Sequence, residues 1–330
     1  MRIAFTIFKY FPYGGIQRDL MKVVAECQSR GHDIKIFTLR WQAPENDALD
    51  VEVLPIVGLT RHAQYDHFAT EVRQRVREQG FDLLVGFNKM AGLDVYYGGD
   101  SCYIEKALKQ RPPWYRLLPR FKSFYAAERA VYDEFVSTQI LTLSDLEVPL
   151  YRSHYRTPPQ RFHGLPPGIE RDRIAPPDTT PMRQQIRQTH NLADDALVVL
   201  CVGSGFIKKG LDRALIALAA LPPRLLQRVH LFVIGRDKAE AFRRMSQRLG
   251  IQGRVTFYDE GRDDVPQFLF AADALLHPAY DETAGMIILE AMLAGLPAVV
   301  TKNCGYAKYL QQYNAGIVLD QPFQQEQLNA

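Results

Sequence analysis

No stretch of this 330-residue chain approaches the roughly 18 consecutive apolar residues that a bilayer-crossing helix requires. The N-terminal apolar run Ile3–Phe8 is short, is stopped by Lys9, and is followed by no small-residue cleavage pattern, so it is not a secretory signal. Cysteine is scarce. Cys27, Cys102, Cys201 and Cys304 stand far apart and form no C-x-x-C pair, which reads as core thiols in a reducing compartment rather than a disulfide framework or a zinc site. Charge of one sign is lacking as well: 40 Lys and Arg against 37 Asp and Glu leave a net charge of +3, and no global field points to nucleic acid. A cytoplasmic protein is expected, with no nucleic-acid partner. His62 and His67 are neighbours in sequence but five residues apart, hence on different helix faces, and no metal is expected there.

Two phosphate-binding signatures are also missing. The loop after the first strand carries Gly14-Gly15 in place of G-x-G-x-x-G, and the second strand ends in Thr38-Leu39-Arg40 with no acid for a ribose, which opposes a nicotinamide enzyme. The Walker pattern G-x(4)-G-K-[ST] occurs nowhere.

What is present is the patterning of two α/β domains. At 47% hydrophobic and 23% charged, the chain is long enough for two domains of ordinary size. Apolar strands alternate with amphipathic segments: a strand over Arg2–Phe8, a helix from Ile16 to Arg30 ended by Gly31, and a strand over Asp33–Leu39. Further strands are expected at Val51–Ile56, Asp82–Phe87 and Leu93–Tyr97, with a helix from about Phe68 to Gln79. Gly14-Gly15 allows backbone N–H groups to approach an anion, or forms a plain tight turn. Asp19, one turn into the helix, either complements the helix dipole or faces an inter-domain cleft, where it could meet an acceptor hydroxyl. Lys89, in a polar loop at a strand's C-terminal edge, and Asp100, after Gly98-Gly99, are further acceptor-side candidates, although Asp100 also suits a simple turn.

The segment Tyr103–Tyr132 has the most unusual composition, with seven Lys or Arg and two acids for a net charge of +5. Lys106, Lys109, Arg116, Arg120 and Lys122 interleave with aromatics, and Trp114, Leu117, Leu118, Phe121 and Tyr125 fall on one helical stripe. Pro112-Pro113 introduces the segment, and Pro119 kinks it or opens a second helix. A basic amphipathic helix of this kind fits contact with an anionic membrane surface; the alternative is an ordinary helix packing its aromatic side on the core.

Ser144 and Asp145 suit a helix N-cap, and Pro166 to Pro181 reads as an inter-domain linker that brings Arg173 close enough to the cleft to meet a phosphate. The second half repeats the alternation. Its first strand, Leu197–Val202, runs into Gly203-Ser-Gly205-Phe-Ile-Lys208-Lys209-Gly210, glycines with two adjacent cations at a strand-to-helix turn, suited to a departing diphosphate. Gly235 and Arg262, at the next strand ends, are expected to line a nucleotide base. Strand Asp273–Leu276 leads into His277-Pro-Ala-Tyr-Asp-Glu282-Thr283-Ala284-Gly285-Met-Ile-Ile-Leu-Glu290. Glu290 lies inside an otherwise apolar helix, where a charge is costly unless it is paired or meets a ligand.

The strand–loop–helix spacing E-x(7)-E resembles the retaining, nucleotide-sugar-dependent glycosyltransferases of the GT-B fold, two Rossmann-like domains facing a central cleft. With Tyr10-Phe-Pro-Tyr-Gly-Gly-Ile-Gln-Arg-Asp19, Gly86-Phe-Asn-Lys-Met90 and Asp212-Arg213, the chain is similar along its whole length to the lipopolysaccharide core glucosyltransferase I family. The resemblance implies domains over 1–168 and 169–330, the second ending short of its relatives' C-terminal helices. It also implies a peripheral enzyme on the inner face of the inner membrane, with 103–132 as the membrane-interacting region. The reaction implied is transfer of α-glucose from UDP-glucose to an inner-core heptose of lipopolysaccharide. No D-x-D pair occurs, which fits a site where cations and helix N-termini replace a divalent ion, and no cofactor is expected. Lys208, Lys209, the Gly15 amide and Arg173 would then stabilise UDP. Glu282, with the backbone of Thr283, Ala284 and Gly285, would hold the sugar, Glu290 the ribose, and Asp19 the acceptor. A UDP-sugar epimerase and a non-catalytic glycan- or lipid-binding protein are the alternatives.

Overall fold

Near-continuous apolar strands, buried on both faces, are the mark of parallel sheets covered by helices on either side, and such strands build both halves of the chain. The computed structural model describes residues 1–12, 14–42, 49–169 and 171–330, so Tyr13 of the Gly-Gly loop lies outside the described residues. It separates into two units, Met1–Pro166 and Pro167–Ala330.

Unit 1 holds β1 (Arg2–Tyr10), β2 (Asp33–Trp41), β3 (Asp50–Val53), β4 (Leu83–Gly86), β5 (Val95–Gly98), β6 (Gln139–Thr142) and β7 (Phe162–Gly164). They form one sheet in the order β3-β2-β1-β4-β5-β6-β7, and every pairing is parallel. Ala4 packs into the core on one face with Phe37, Phe68 and Tyr96, while Ile3, Phe5 and Ile7 pack on the other with Leu20 and Val24. The chain order reverses between β1 and β4, so the C-terminal ends of those strands flank the crevice where α/β sheets take ligands.

Unit 2 holds β8 (Leu197–Val202), β9 (Val229–Ile234), β10 (Val255–Tyr258), β11 (Ala274–His277), β12 (Ala298–Thr301) and β13 (Gly316–Leu319). The order is β10-β9-β8-β11-β12-β13, again parallel throughout. Here the reversal falls between β8 and β11. The strands leading into Lys208-Lys209 and into Glu282 are therefore direct neighbours, with Leu200 opposite Leu275.

Four expectations are corrected. The helix expected from Phe68 spans Arg61–Glu78, because Thr60 caps it: its side chain accepts from the Ala63 N–H. Ser144 does not cap a helix; its hydroxyl accepts from Leu146 N, and the next helix is Val148–Tyr155. The supposed linker ends in a further helix, Thr180–Thr189, whose Pro181 sits in the first turn, where a missing N–H costs nothing. In the basic aromatic segment Trp114 lies on a 3-10 turn, Pro113–Leu117, and not on a regular helix; Tyr103–Gln110 precedes it, and Pro119 opens the helix Pro119–Tyr132, one of the two alternatives its position offers.

Candidate functional site

In unit 2, the loop after β8 is shaped by glycines. Gly203 and Gly210 have φ of 133° and 71°, and a Cβ on Gly210 would lie 2.1 Å from the Pro278 carbonyl oxygen, so the turn closes directly on the end of β11. Gly235 backs onto the same loop, where a Cβ would lie 2.4 Å from the Gly203 oxygen. This folding lays the Lys209 side chain beside Gly203 and points its ammonium at Glu282, whose Oε2 it contacts directly. Lys208 is exposed next to it.

His277, fully buried at the end of β11, lies 3.3 Å from the same oxygen. Burial, and then the Lys209 charge, push its pKa down to about 3, so the ring is neutral and Nε2–H donates. Burial likewise lowers Lys209 to about 8, with Lys208 adding to the fall, while Glu282 holds the ammonium in place. Both contacts on Glu282 use Oε2; among the described residues no hydrogen bond or ion pair uses Oε1. The Glu282 backbone is fixed as well, its carbonyl accepting from Gly305 N, while Ala284 O accepts from Tyr306 N. Gly285, at φ 90°, then opens the helix Met286–Leu293, and a helix start leaves N–H groups without intrahelical partners.

Glu290 lies one face further along this helix, 6% exposed. It pairs with Arg173, whose Nε lies 3.9 Å from Glu290 Oε1 and 3.5 Å from Asp172 Oδ1. Nε and Nη1 of Arg173 are buried and find no hydrogen-bond acceptor among the described residues. Asp172 and Glu290 meet the charge of the guanidinium, while its buried Nε and Nη1 lack hydrogen-bond acceptors, which a ligand anion would supply. Unit 2 thus brings together Lys209, Glu282 and His277, and separately Arg173 and Glu290. Arg262, at the end of β10, is already gripped by Asp264 through two 2.6 Å bonds and stacks over Tyr258 at 4.4 Å. His277 and Gly203 were not singled out from the sequence; the strand-terminal position of His277 was the available signal.

In unit 1, Gly15 is the first residue of the helix Gly15–Ser29, and a Cβ there would meet nothing within 4 Å. Asp19 lies beyond the first helical turn, so it does not act as a first-turn acid; its Oδ2 accepts from the Tyr97 hydroxyl at 2.8 Å. Asp100 is exposed in its turn, and its carbonyl accepts from the Tyr151 hydroxyl at 3.0 Å. Lys89 departs from the acceptor-side expectation. Its ammonium donates to Ser101 O at 2.8 Å and to the fully buried Glu128 at 2.5 Å, a structural ion pair.

The expected membrane-contact residues divide. Trp114 and Leu117 are 61% and 74% exposed on the 3-10 turn, alongside exposed Arg116, Arg120 and Lys122. Phe121 is corrected: it is 7% exposed, turned inward onto Tyr103 and Tyr125. Lys106 is half-buried, and Lys109 pairs with Glu105 at 2.7 Å. Among the described residues no helix is long and apolar enough to cross a membrane, and no three His, Cys, Asp or Glu side chains are grouped to hold a metal ion.

Residues 182–330 match the family model described as glycosyl transferases group 1. The lipopolysaccharide glucosyltransferase WaaG of Escherichia coli K12 is 41% identical over 329 residues, covering 100% of this chain and 88% of that protein. The crystal structure of WaaG, a glycosyltransferase involved in lipopolysaccharide biosynthesis, superposes with a TM-score of 0.94 over 99% of this chain and 88% of that one. The Anabaena protein HepE, solved with UDP and glucose, shares the GT-B fold at a TM-score of 0.74 and 20% identity, covering 100% and 88% of the two chains. With identity of this level sustained from end to end, the chain is a glycosyltransferase of the GT-B fold and belongs to the WaaG family of lipopolysaccharide glucosyltransferases.

Proposed function

We propose that the protein transfers glucose from UDP-glucose to an inner-core heptose of lipopolysaccharide, with retention of the α configuration and without a metal ion, at the cytoplasmic surface of the inner membrane. The observation that carries this reading is the cluster at the ends of β8 and β11. Lys209 is fixed on Oε2 of Glu282 while Oε1 stays open to a sugar hydroxyl. Lys208 and Lys209 offset the charge that grows on the departing diphosphate. Arg173, paired with Asp172 and Glu290 but with two buried nitrogens lacking a hydrogen-bond acceptor, adds a further cation, and Glu290 accepts from the ribose hydroxyls. The backbone of Thr283, Ala284 and Gly285, at the helix start, complements Glu282 at the sugar.

The bond from the anomeric carbon to the β-phosphate oxygen breaks, and the acceptor oxygen bonds to the same face of that carbon. Its proton passes to the leaving phosphate. Glu282 does not serve as a nucleophile of the kind retaining glycosidases use in this reading, because it is tied to Lys209 and His277. Asp19 of unit 1, aligned by Tyr97, is the proposed carboxylate for the acceptor, and the Gly15 amide a proposed phosphate donor. The exposed Trp114, Leu117, Arg116, Arg120 and Lys122 are the proposed contact with an anionic bilayer.

The test is transfer from a panel of UDP- and ADP-sugars to heptose-terminated lipopolysaccharide, with linkage analysis of the product. An α-linked glucose from UDP-glucose is expected with a metal chelator present. A β-linked product, or one formed from UDP-glucose alone without acceptor, would sink the reading.

A further inference from the structure

Arg213, three residues beyond Gly210, belongs to none of the groups assigned above, yet it holds the loop that ends in Glu282 from several directions. Its guanidinium lies 3.5 Å from the ring centroid of Tyr280 and 3.7 Å from that of Phe323. Nη1 donates to the carbonyls of Pro278 and Ala279 at 3.0 and 3.3 Å. These are the two residues that follow β11, where the backbone leaves the sheet and turns toward Glu282.

Tyr280 is fixed at its other ends too. Its N–H donates to Lys208 O at 2.8 Å, its carbonyl accepts from Asn303 Nδ2 at 3.1 Å, and its hydroxyl donates to Asp212 at 2.7 Å. The C-terminal segment closes the arrangement: Phe323 supplies the second ring, and Gln325 donates to the Arg213 carbonyl at 3.1 Å. One guanidinium thus ties together the first turn of the helix Leu211–Ala219, the loop after β11, and the chain near residue 323. A guanidinium permits this, since Nη1 donates to both carbonyls while its delocalised cation lies against two aromatic rings. A lysine ammonium in the same place keeps the charge but loses the fork and the stacking.

We propose that Arg213 is a positioning residue for sugar recognition: by fixing the register of Pro278–Tyr280 it holds Glu282 where Lys209 and His277 meet it, with Phe323 as the second half of the clamp. The inference rests on the proposed role of Glu282 at the donor sugar. It separates Arg213 from residues that would meet the diphosphate directly, since Arg213 contacts the loop leading to Glu282 and neither lysine ammonium. Its loss therefore discriminates between UDP-glucose and UDP.

The experiment is calorimetric titration of the full chain with UDP and with UDP-glucose, together with the melting temperature and the donor KM and kcat. The variants are Arg213→Met, Arg213→Lys, Phe323→Leu, Phe323→Tyr and Glu282→Gln. For Arg213→Met and Arg213→Lys, UDP-glucose affinity falls about tenfold or more while UDP affinity stays within about twofold. Phe323→Leu shows the same selectivity to a smaller degree, and Phe323→Tyr, which keeps the ring, is indistinguishable from the parent. If UDP and UDP-glucose affinities fall together with the melting temperature, Arg213 is a folding residue only and the proposal is wrong. It is equally wrong if Glu282→Gln loses UDP-glucose selectivity and Arg213→Met does not. If Glu282→Gln itself leaves UDP-glucose binding intact, the failure lies in the donor assignment on which the inference rests.

Discussion

Glu128 and Lys89 form an ion pair inside unit 1, with Nζ and Oε2 2.5 Å apart and the carboxylate completely out of solvent. Burial alone would push the Glu128 carboxyl up. Lys89, the Tyr103 N–H and the Tyr155 hydroxyl outweigh it and hold the group below its ordinary value. Removing one partner of such a pair strands the other in the interior, at a cost of about 3–5 kcal/mol. Glu128→Gln and Lys89→Met are each expected to lower the free energy of unfolding by roughly that amount, read by urea denaturation. A loss under 1 kcal/mol for both would contradict the buried pair.

Two buried histidines make stability fall with acid. Burial lowers His230 to about 4 and His277 to about 3, against an ordinary value of 6.5. The unfolded chain binds these protons first, so their penalty begins as pH drops below about 6.5 and grows until each folded-state pKa is reached. At pH 5 each contributes a loss of about 2 kcal/mol. His230→Gln, which can keep the hydrogen bond to Thr256, is expected to reduce the stability difference between pH 7.5 and pH 5 by about that amount. An unchanged difference would show that His230 titrates normally in the folded protein.

Lys209 sets a limit on the alkaline side. With its pKa lowered to about 8, the ammonium proposed to face the leaving diphosphate is lost as pH rises through that value. The kcat/KM of transfer, which reports the free enzyme, is expected to fall tenfold per pH unit above 8. Lys209→Arg keeps a charge across that range and should flatten the limb. Lys209→Ala should cost about 100-fold or more at neutral pH. A limb that survives in Lys209→Arg would assign it to another group.

At the proposed membrane contact, exposure sorts the residues. Sedimentation with anionic vesicles is expected to be abolished when Arg116, Arg120 and Lys122 are all replaced by Glu, and weakened by Trp114→Ala. Phe121→Ala should instead lower the melting temperature and leave vesicle binding in place, because that ring packs on Tyr103 and Tyr125. Binding that persists in the triple variant would rule out this surface.

The alternation of apolar strands was plain in the sequence, because a parallel sheet covered on both faces demands it. The E-x(7)-E spacing and Lys208-Lys209 were equally visible. What could not be read was which partners the charges take. Lys89 and Asp100 looked alike as polar loop residues at strand ends, but Lys89 is consumed by a glutamate 39 positions away, and only folding reveals that pairing. The stripe from Trp114 to Tyr125 is only partly legible, because Pro119 allows either a kink or a new helix and nothing in the sequence decides between them. The proline starts a new helix, so the two ends of the stripe face different surroundings. The helix Thr180–Thr189 is hidden for a related reason: prolines suggest a linker, although in a first turn they are neutral.

The helix Tyr103–Gln110 begins at Cys102, which offers it no side-chain cap. Its first N–H groups are taken up by Glu128, from Tyr103 and Ile104, while Glu147 accepts from Cys102. Glu128 in turn needs Lys89. The basic aromatic stretch is therefore not a portable tag. Cut out as a peptide over 103–132 or grafted onto a reporter, it keeps Glu128 but leaves behind Lys89, Tyr155 and Glu147, and its first helix loses the scaffold that starts it.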